Sequence, residues 1–68
     1  MRLKELRKKR KISQLKLAMD LNMNQNSISR YENGEREADY ATLIKFADYF
    51  KVSIDYLLGR TNNPKMNE

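Results

Sequence analysis

Between Asn24 and Arg30 the chain sets out a run of side chains suited to recognition: Asn24-Gln25-Asn26-Ser27, then Ser29 and Arg30. An Asn or Gln amide pairs a donor with an acceptor, as adenine's major-groove edge does, and an arginine guanidinium matches the two acceptors of guanine. A nucleic acid duplex is the ligand these types suit. Reaction chemistry is poorly supplied. The 68 residues contain no histidine and no cysteine, which removes the commonest metal ligand, the commonest general base and any thiolate. The carboxylates and lysines form no cluster with catalytic spacing. The chain is therefore read as not an enzyme, with no cofactor and no metal.

The charge distribution points the same way. Residues 1–16 hold eight Lys/Arg (Arg2, Lys4, Arg7, Lys8, Lys9, Arg10, Lys11, Lys16) against one acid, Glu5, a net of +7. Residues 17–68 hold six bases and eight acids, a net of −2, giving the total of +5. Positive potential concentrated at one end is the footprint of a polyanion-binding surface. The plainer account of Lys8, Lys9 and Lys11 is diffuse attraction from a solvated face. No apolar run approaches the ~20 residues that span a bilayer. The basic start lacks the apolar stretch of a secretory signal. A cytoplasmic location without membrane contact is expected.

Five short amphipathic segments must position these groups. Leu3 and Leu6 mark a helix over 2–10, and Lys11-Ile12 a link with Ile12 turned inward. Ser13 is an N-cap for a helix over 14–20, whose Leu17, Ala18 and Leu21 face inward. Leu15 and Met19 lie off that set and are read as partly exposed. Asn22 tolerates positive φ and breaks the chain there. Met23 turns inward, and Asn24 caps a third helix over 25–32, with Ile28 and Tyr31 facing the core. Gly34 ends it in the left-handed region. Asp39 caps a helix over 40–50 with a wide apolar stripe of Leu43, Ile44, Phe46, Ala47 and Phe50. Ser53 caps a last helix running through Leu58, ended by Gly59. Tyr40, Tyr49 and Tyr56 are expected as half-buried helix edges. The domain is placed at 1–60, with 61–68 a flexible tail or linker.

The stretch Ile12-SQLKLAMDLNMNQNSISRYEN-Gly34 resembles the phage-repressor and Cro-like helix-turn-helix family, often called the XRE family. Leu43-Ile44-Lys45-Phe46-Ala47 and Val52-Ser53-Ile54-Asp55-Tyr56-Leu57-Leu58-Gly59 extend the likeness over residues 2 to about 60. Asn22, Asn24 and Ala38 depart from that family's frequent Gly, Ser/Thr and Pro, and Lys16 from its frequent acid. The resemblance implies an all-α, five-helix, lambda-repressor-like DNA-binding domain whose second and third helices form the helix-turn-helix. It implies Gln25, Asn26 and Arg30 in the major groove. Ser27, Ser29 and Asn33 would touch the backbone or flanking bases, and Gln14 a phosphate. Lys16 adds charge near that side. Arg7 and Glu32 are implied as a structural ion pair. Asn24 is read as a cap rather than a base contact, and Ser27 and Ser29 equally well as solvated positions.

The function these readings imply is sequence-specific binding of double-stranded DNA by a bacterial or phage transcriptional regulator. The expectation is a repressor, acting as a homodimer on a palindromic operator and meeting its second copy through Ile54, Tyr56 and Leu57. No small-molecule effector is evident. The rival readings are an antitoxin, which adds a protein partner to the same fold, and a protein-docking module, for which Leu15 and Met19 are the candidate surface.

Overall fold

The computed structural model describes residues 1–65. Every helix begins where a short polar side chain can meet the unpaired N–H groups of a first turn, except the first. Ser13 Oγ accepts from the Lys16 N–H at 3.0 Å, opening α2 (Gln14–Asp20). Asn24 Oδ1 accepts from the Asn26 N–H at 2.7 Å, opening α3 (Gln25–Glu32). Asp39 and Ser53 do the same for α4 (Tyr40–Phe50) and α5 (Ile54–Leu57). Such caps are worth ~1 kcal/mol each. The first helix, α1 (Leu3–Lys9), has no side-chain cap. Its preceding residue is anchored instead from outside, since the Arg2 N–H donates to the Leu57 carbonyl at 2.7 Å.

The five helices among the described residues end alike. A residue with positive φ follows the helix: Lys11, Asn22, Gly34, Lys51 and Gly59. The next N–H then reaches back to a carbonyl five residues earlier, as from Met23 to Ala18 at 2.8 Å and Val52 to Ala47 at 3.0 Å. This paired closure satisfies carbonyls that a helix end leaves open. Asn22, Gly34 and Gly59 are the residues that composition marks for such turns. Lys11 and Lys51 are not, and they occupy the left-handed region at φ 58° and 55° at a cost of roughly 1–2 kcal/mol each.

The core gathers one face from each helix: Leu3 and Leu6, Leu17 and Ala18, Ile28 and Tyr31, Phe46, Ala47 and Phe50, then Val52 and Leu57. Tyr31 meets Phe46 edge-on at 5.5 Å between ring centroids, a favourable aromatic geometry. Ile12, Leu21 and Met23 pack half-buried at its margin. Among the described residues there is no strand. The first and last helices are one or two residues shorter than the sequence suggests, because Arg10 and Leu58 serve as C-caps.

Several expectations are corrected. Tyr40 is 86 % exposed, because as the first residue of α4 it precedes the turn that packs on the core. Tyr49 and Tyr56, by contrast, are half-buried as expected. Ile44, expected in the buried stripe, is 48 % exposed, at the edge of a groove of about 270 Å³ that it shares with Ala47, Val52 and Ile54. Leu57 is fully buried and cannot meet a second copy. The segment after α5 makes hydrogen bonds to the domain as far as Pro64. Arg2 Nη2 donates to the Thr61 carbonyl and to Asn62 Oδ1, and the Ser53 N–H donates to the Pro64 carbonyl. Residues 66–68 of the expected tail lie outside the described residues.

Candidate nucleic-acid interface

Helices α2 and α3 are joined by Leu21–Asn24, with the chain reversed at Asn22 and restarted by the Asn24 cap. Helix α3 is anchored on one side by Ile28 and Tyr31. This anchoring fixes which side chains remain outside. Gln25, Asn26 and Arg30 are exposed, and among the described residues none of the three side chains has a hydrogen bond or ion pair to the protein. They are brought together by helical geometry alone: Asn26 and Arg30 lie one turn apart on one face, and Gln25 projects from the first turn. Asn24 spends its side-chain oxygen on the cap. Ser27 and Ser29 are half-buried at the flanks of this face, and Asn33 is exposed. Asn33 Nδ2 approaches Ser29 Oγ at only 3.5 Å, a weak contact.

The polar residues behind the face behave differently. Arg7 Nε and Nη2 donate to the two oxygens of Glu32 at 2.6 and 3.1 Å, and Nη1 donates to the Ile12 carbonyl at 2.9 Å. Gln14 Nε2 donates to Glu32 Oε1 at 3.0 Å. The Glu32 side chain is 1 % exposed. Burial opposes its ionisation, but the Arg7 and Gln14 hydrogen bonds outweigh burial and hold the carboxyl below its usual range. The hydrogen bond to Glu32 likewise raises Arg7 above the ordinary guanidinium value. One buried carboxylate thus joins α1, the start of α2 and the end of α3. Gln14 stands at the start of α2, where a phosphate contact is implied, but its amide nitrogen is already engaged.

Lys16 lies outside this junction. Its Nζ reaches Asp20 Oδ1 at 2.9 Å, and Asp20 Oδ2 accepts from the Tyr49 hydroxyl at 2.5 Å. The Tyr49 and Lys16 hydrogen bonds lower the Asp20 carboxyl. This chain of contacts ties the outer side of α2 to α4.

Two arginines have roles that composition did not reveal. Arg10 donates to the Tyr49 and Phe50 carbonyls at 3.2 and 2.9 Å and stacks over the Phe50 ring, closing the C-terminus of α4. Its position after α1 carries no signal, because the target carbonyls lie about 40 residues away. Arg36 sits over the Tyr31 ring at 5.3 Å, next to the end of α3. The signal available was a base in the polar loop immediately after that helix.

Residues 3–57 match the family model described as helix-turn-helix. The chain is 43 % identical over 67 residues to the HTH-type transcriptional regulator ImmR of Bacillus subtilis, covering 98 % of this chain and 53 % of that protein. It is 41 % identical over 64 residues to the uncharacterized HTH-type transcriptional regulator YqaE of the same organism, covering 94 % and 55 %. A third relative there, the uncharacterized HTH-type transcriptional regulator YobD, is 33 % identical over 63 residues, covering 93 % and 56 %. The chain spans about half the length of these relatives. No solved structure matches.

Proposed function

The chain belongs to the helix-turn-helix family of XRE type, and on that premise we propose that it binds double-stranded DNA sequence-specifically as a transcriptional regulator. The observation that carries this reading is the outer face of α3. Gln25, Asn26 and Arg30 are exposed without protein partners, on a helix whose opposite face is locked into the core. These are the side-chain types that read base edges in a major groove wide enough for a helix. Ser27, Ser29 and Asn33 flank the reading face and are assigned to the DNA backbone. Gln14 and Lys16 are assigned a lesser share there, since both side chains already have protein partners.

One recognition helix covers about one half-site, so a homodimer on a palindromic operator is the proposed active form, with half-sites ~34 Å apart. Ile54 and Tyr56, both half-buried, remain the proposed contact to the second copy, joined by Ile44 in place of Leu57. The proposed regulatory role is repression, by occupying a promoter.

Selection from a random duplex pool supplies the operator, and the variant Arg30→Ala tests the reading face. The expected loss on the operator is ~1–3 kcal/mol, with little change on a scrambled duplex. Equal loss on both would remove Arg30 as a base contact. The second reading, a protein-docking module, is favoured by Leu15 and Met19, which are 53 % and 70 % exposed. It would appear as failure to enrich any duplex.

A further inference from the structure

The basic N-terminal segment divides by residue type. Its three arginines are all engaged in holding the fold: Arg2 on Thr61, Asn62 and the Tyr56 ring, Arg7 on Glu32, and Arg10 on the end of α4. Lys16 is paired with Asp20. Lys4, Lys8, Lys9 and Lys11 are exposed and have no hydrogen bond or ion pair among the described residues. The positive charge available to a partner is therefore lysine charge.

Two of these four lysines share a face of α1, and a third follows its end. At 100° per residue, Lys4 and Lys8 lie 40° apart on α1, and Lys11 follows just past its end, at positive φ. Arg7 lies only 60° to one side of Lys4 by the same geometry, and Arg7 is the residue that grips Glu32 at the end of α3. Lys4 is near enough to Glu32 to help keep that carboxyl charged. Lys4 thus lies on the side of α1 nearest Glu32, Lys8 points away from the buried Leu3 and Leu6, and Lys11 stands between α1 and the start of α2. Lys9 falls about 140° away from Lys4, on the side of Glu5. The one acid of the segment, Glu5, is turned to Arg2 at 3.6 Å.

We propose that Lys4, Lys8 and Lys11 form a phosphate-contacting rail along α1, extending the DNA contact beyond the base-reading face of α3. The proposal rests on the DNA-binding reading above and deepens it. Each lysine neutralises a backbone phosphate, which adds affinity without sequence preference. Lysine suits this task because a flexible ammonium meets a phosphate as a point charge, whereas the planar fork of arginine suits the fixed internal contacts that Arg2, Arg7 and Arg10 make.

The test is the salt dependence of duplex binding for the unaltered chain, the triple variant Lys4→Gln/Lys8→Gln/Lys11→Gln, and Lys9→Gln as the off-face control. Thermal unfolding confirms that each variant is folded. Counterion release gives a slope near −0.9 per phosphate contact in log affinity against log salt. The triple variant should be shallower by about 2–3, equally on operator and scrambled duplexes, while Lys9→Gln keeps the parent slope. A triple variant whose slope equals that of Lys9→Gln overturns the rail. If Arg30→Ala still loses operator binding in that case, the DNA-binding reading survives. If the unaltered chain binds no duplex, both fall together.

Discussion

Two clusters of the same side-chain types flank α3, one packed against its last residue and the other exposed from its first turn along its outer face. Behind it, Arg7, Gln14 and Glu32 saturate one another around a carboxylate that is 1 % exposed. In front, Arg30, Gln25 and Asn26 are exposed and unpaired with the protein. Each cluster contains a guanidinium and a side-chain amide. The difference is the acid. Where a buried carboxylate is available, the planar donors turn inward and fix the angle between helices. Where none is available, they stay hydrated and open to a ligand whose edges offer acceptors. Residue type alone does not separate structure from recognition here; the partner within reach does.

The sharpest way to break this comparison is to remove the acid. Glu32→Ala leaves the Arg7 guanidinium half-buried without its counter-charge and the Gln14 amide without its acceptor. Breaking a buried pair from one side costs about 3–5 kcal/mol. For a domain of this size that is a large part of the total stability. Urea unfolding should show the midpoint falling steeply with little change in slope. A loss below about 1 kcal/mol would mean that hydrophobic contacts alone set the helix angles.

Acid pH probes the same junction more gently. Glu32 is held below its usual pKa in the folded state. A depressed folded pKa stabilises above the unfolded value, and that stabilisation is lost as pH falls through the folded value. Glu32→Gln mimics the protonated side chain at every pH. The stability gap between the parent and Glu32→Gln should therefore be full near neutrality and close as pH drops below the ordinary carboxylate range. Asp20 and Asp39 also have depressed pKa values, but they are common to both chains and cancel in the difference. A gap constant down to strong acid would contradict the pairing.

The local pattern was legible in the sequence and the long-range contacts were not. Ser13, Asn24, Asp39 and Ser53 cap the helices they precede, and Asn22, Gly34 and Gly59 turn left-handed. Each acts within a few residues of itself, so its type and position suffice. Lys11 and Lys51 take the same backbone conformation with no compositional mark, because tertiary packing holds a geometry that lysine does not favour. Arg2 and Arg10 contact groups roughly 60 and 40 residues away, and no spacing within the N-terminal segment announces that. Ile44 shows the limit of periodicity. A wide apolar stripe names the residues near a core, yet the short α5 leaves the stripe's edge uncovered, and Ile44 lies on that edge.

The smallest effect gives the finest contrast, between neighbours on the first turn of α3. Asn24 commits its side-chain oxygen to the Asn26 N–H at 2.7 Å. Asn24→Ala should cost ~1 kcal/mol of stability, with operator binding reduced only as far as the helix start loosens. Asn26 contributes only its backbone to that cap. Its side chain is exposed, and asparagine is a weaker helix former than alanine by roughly half a kcal/mol. Asn26→Ala should therefore leave stability unchanged or raise it by up to about 0.5 kcal/mol. The same substitution deletes an amide from the proposed base-reading face, so operator affinity should fall while scrambled-duplex affinity holds. Opposite signs on stability and binding are the mark of a residue retained for its ligand. If Asn26→Ala instead destabilised the fold and left binding intact, the line between the two sides of α3 would have to be redrawn through its first turn.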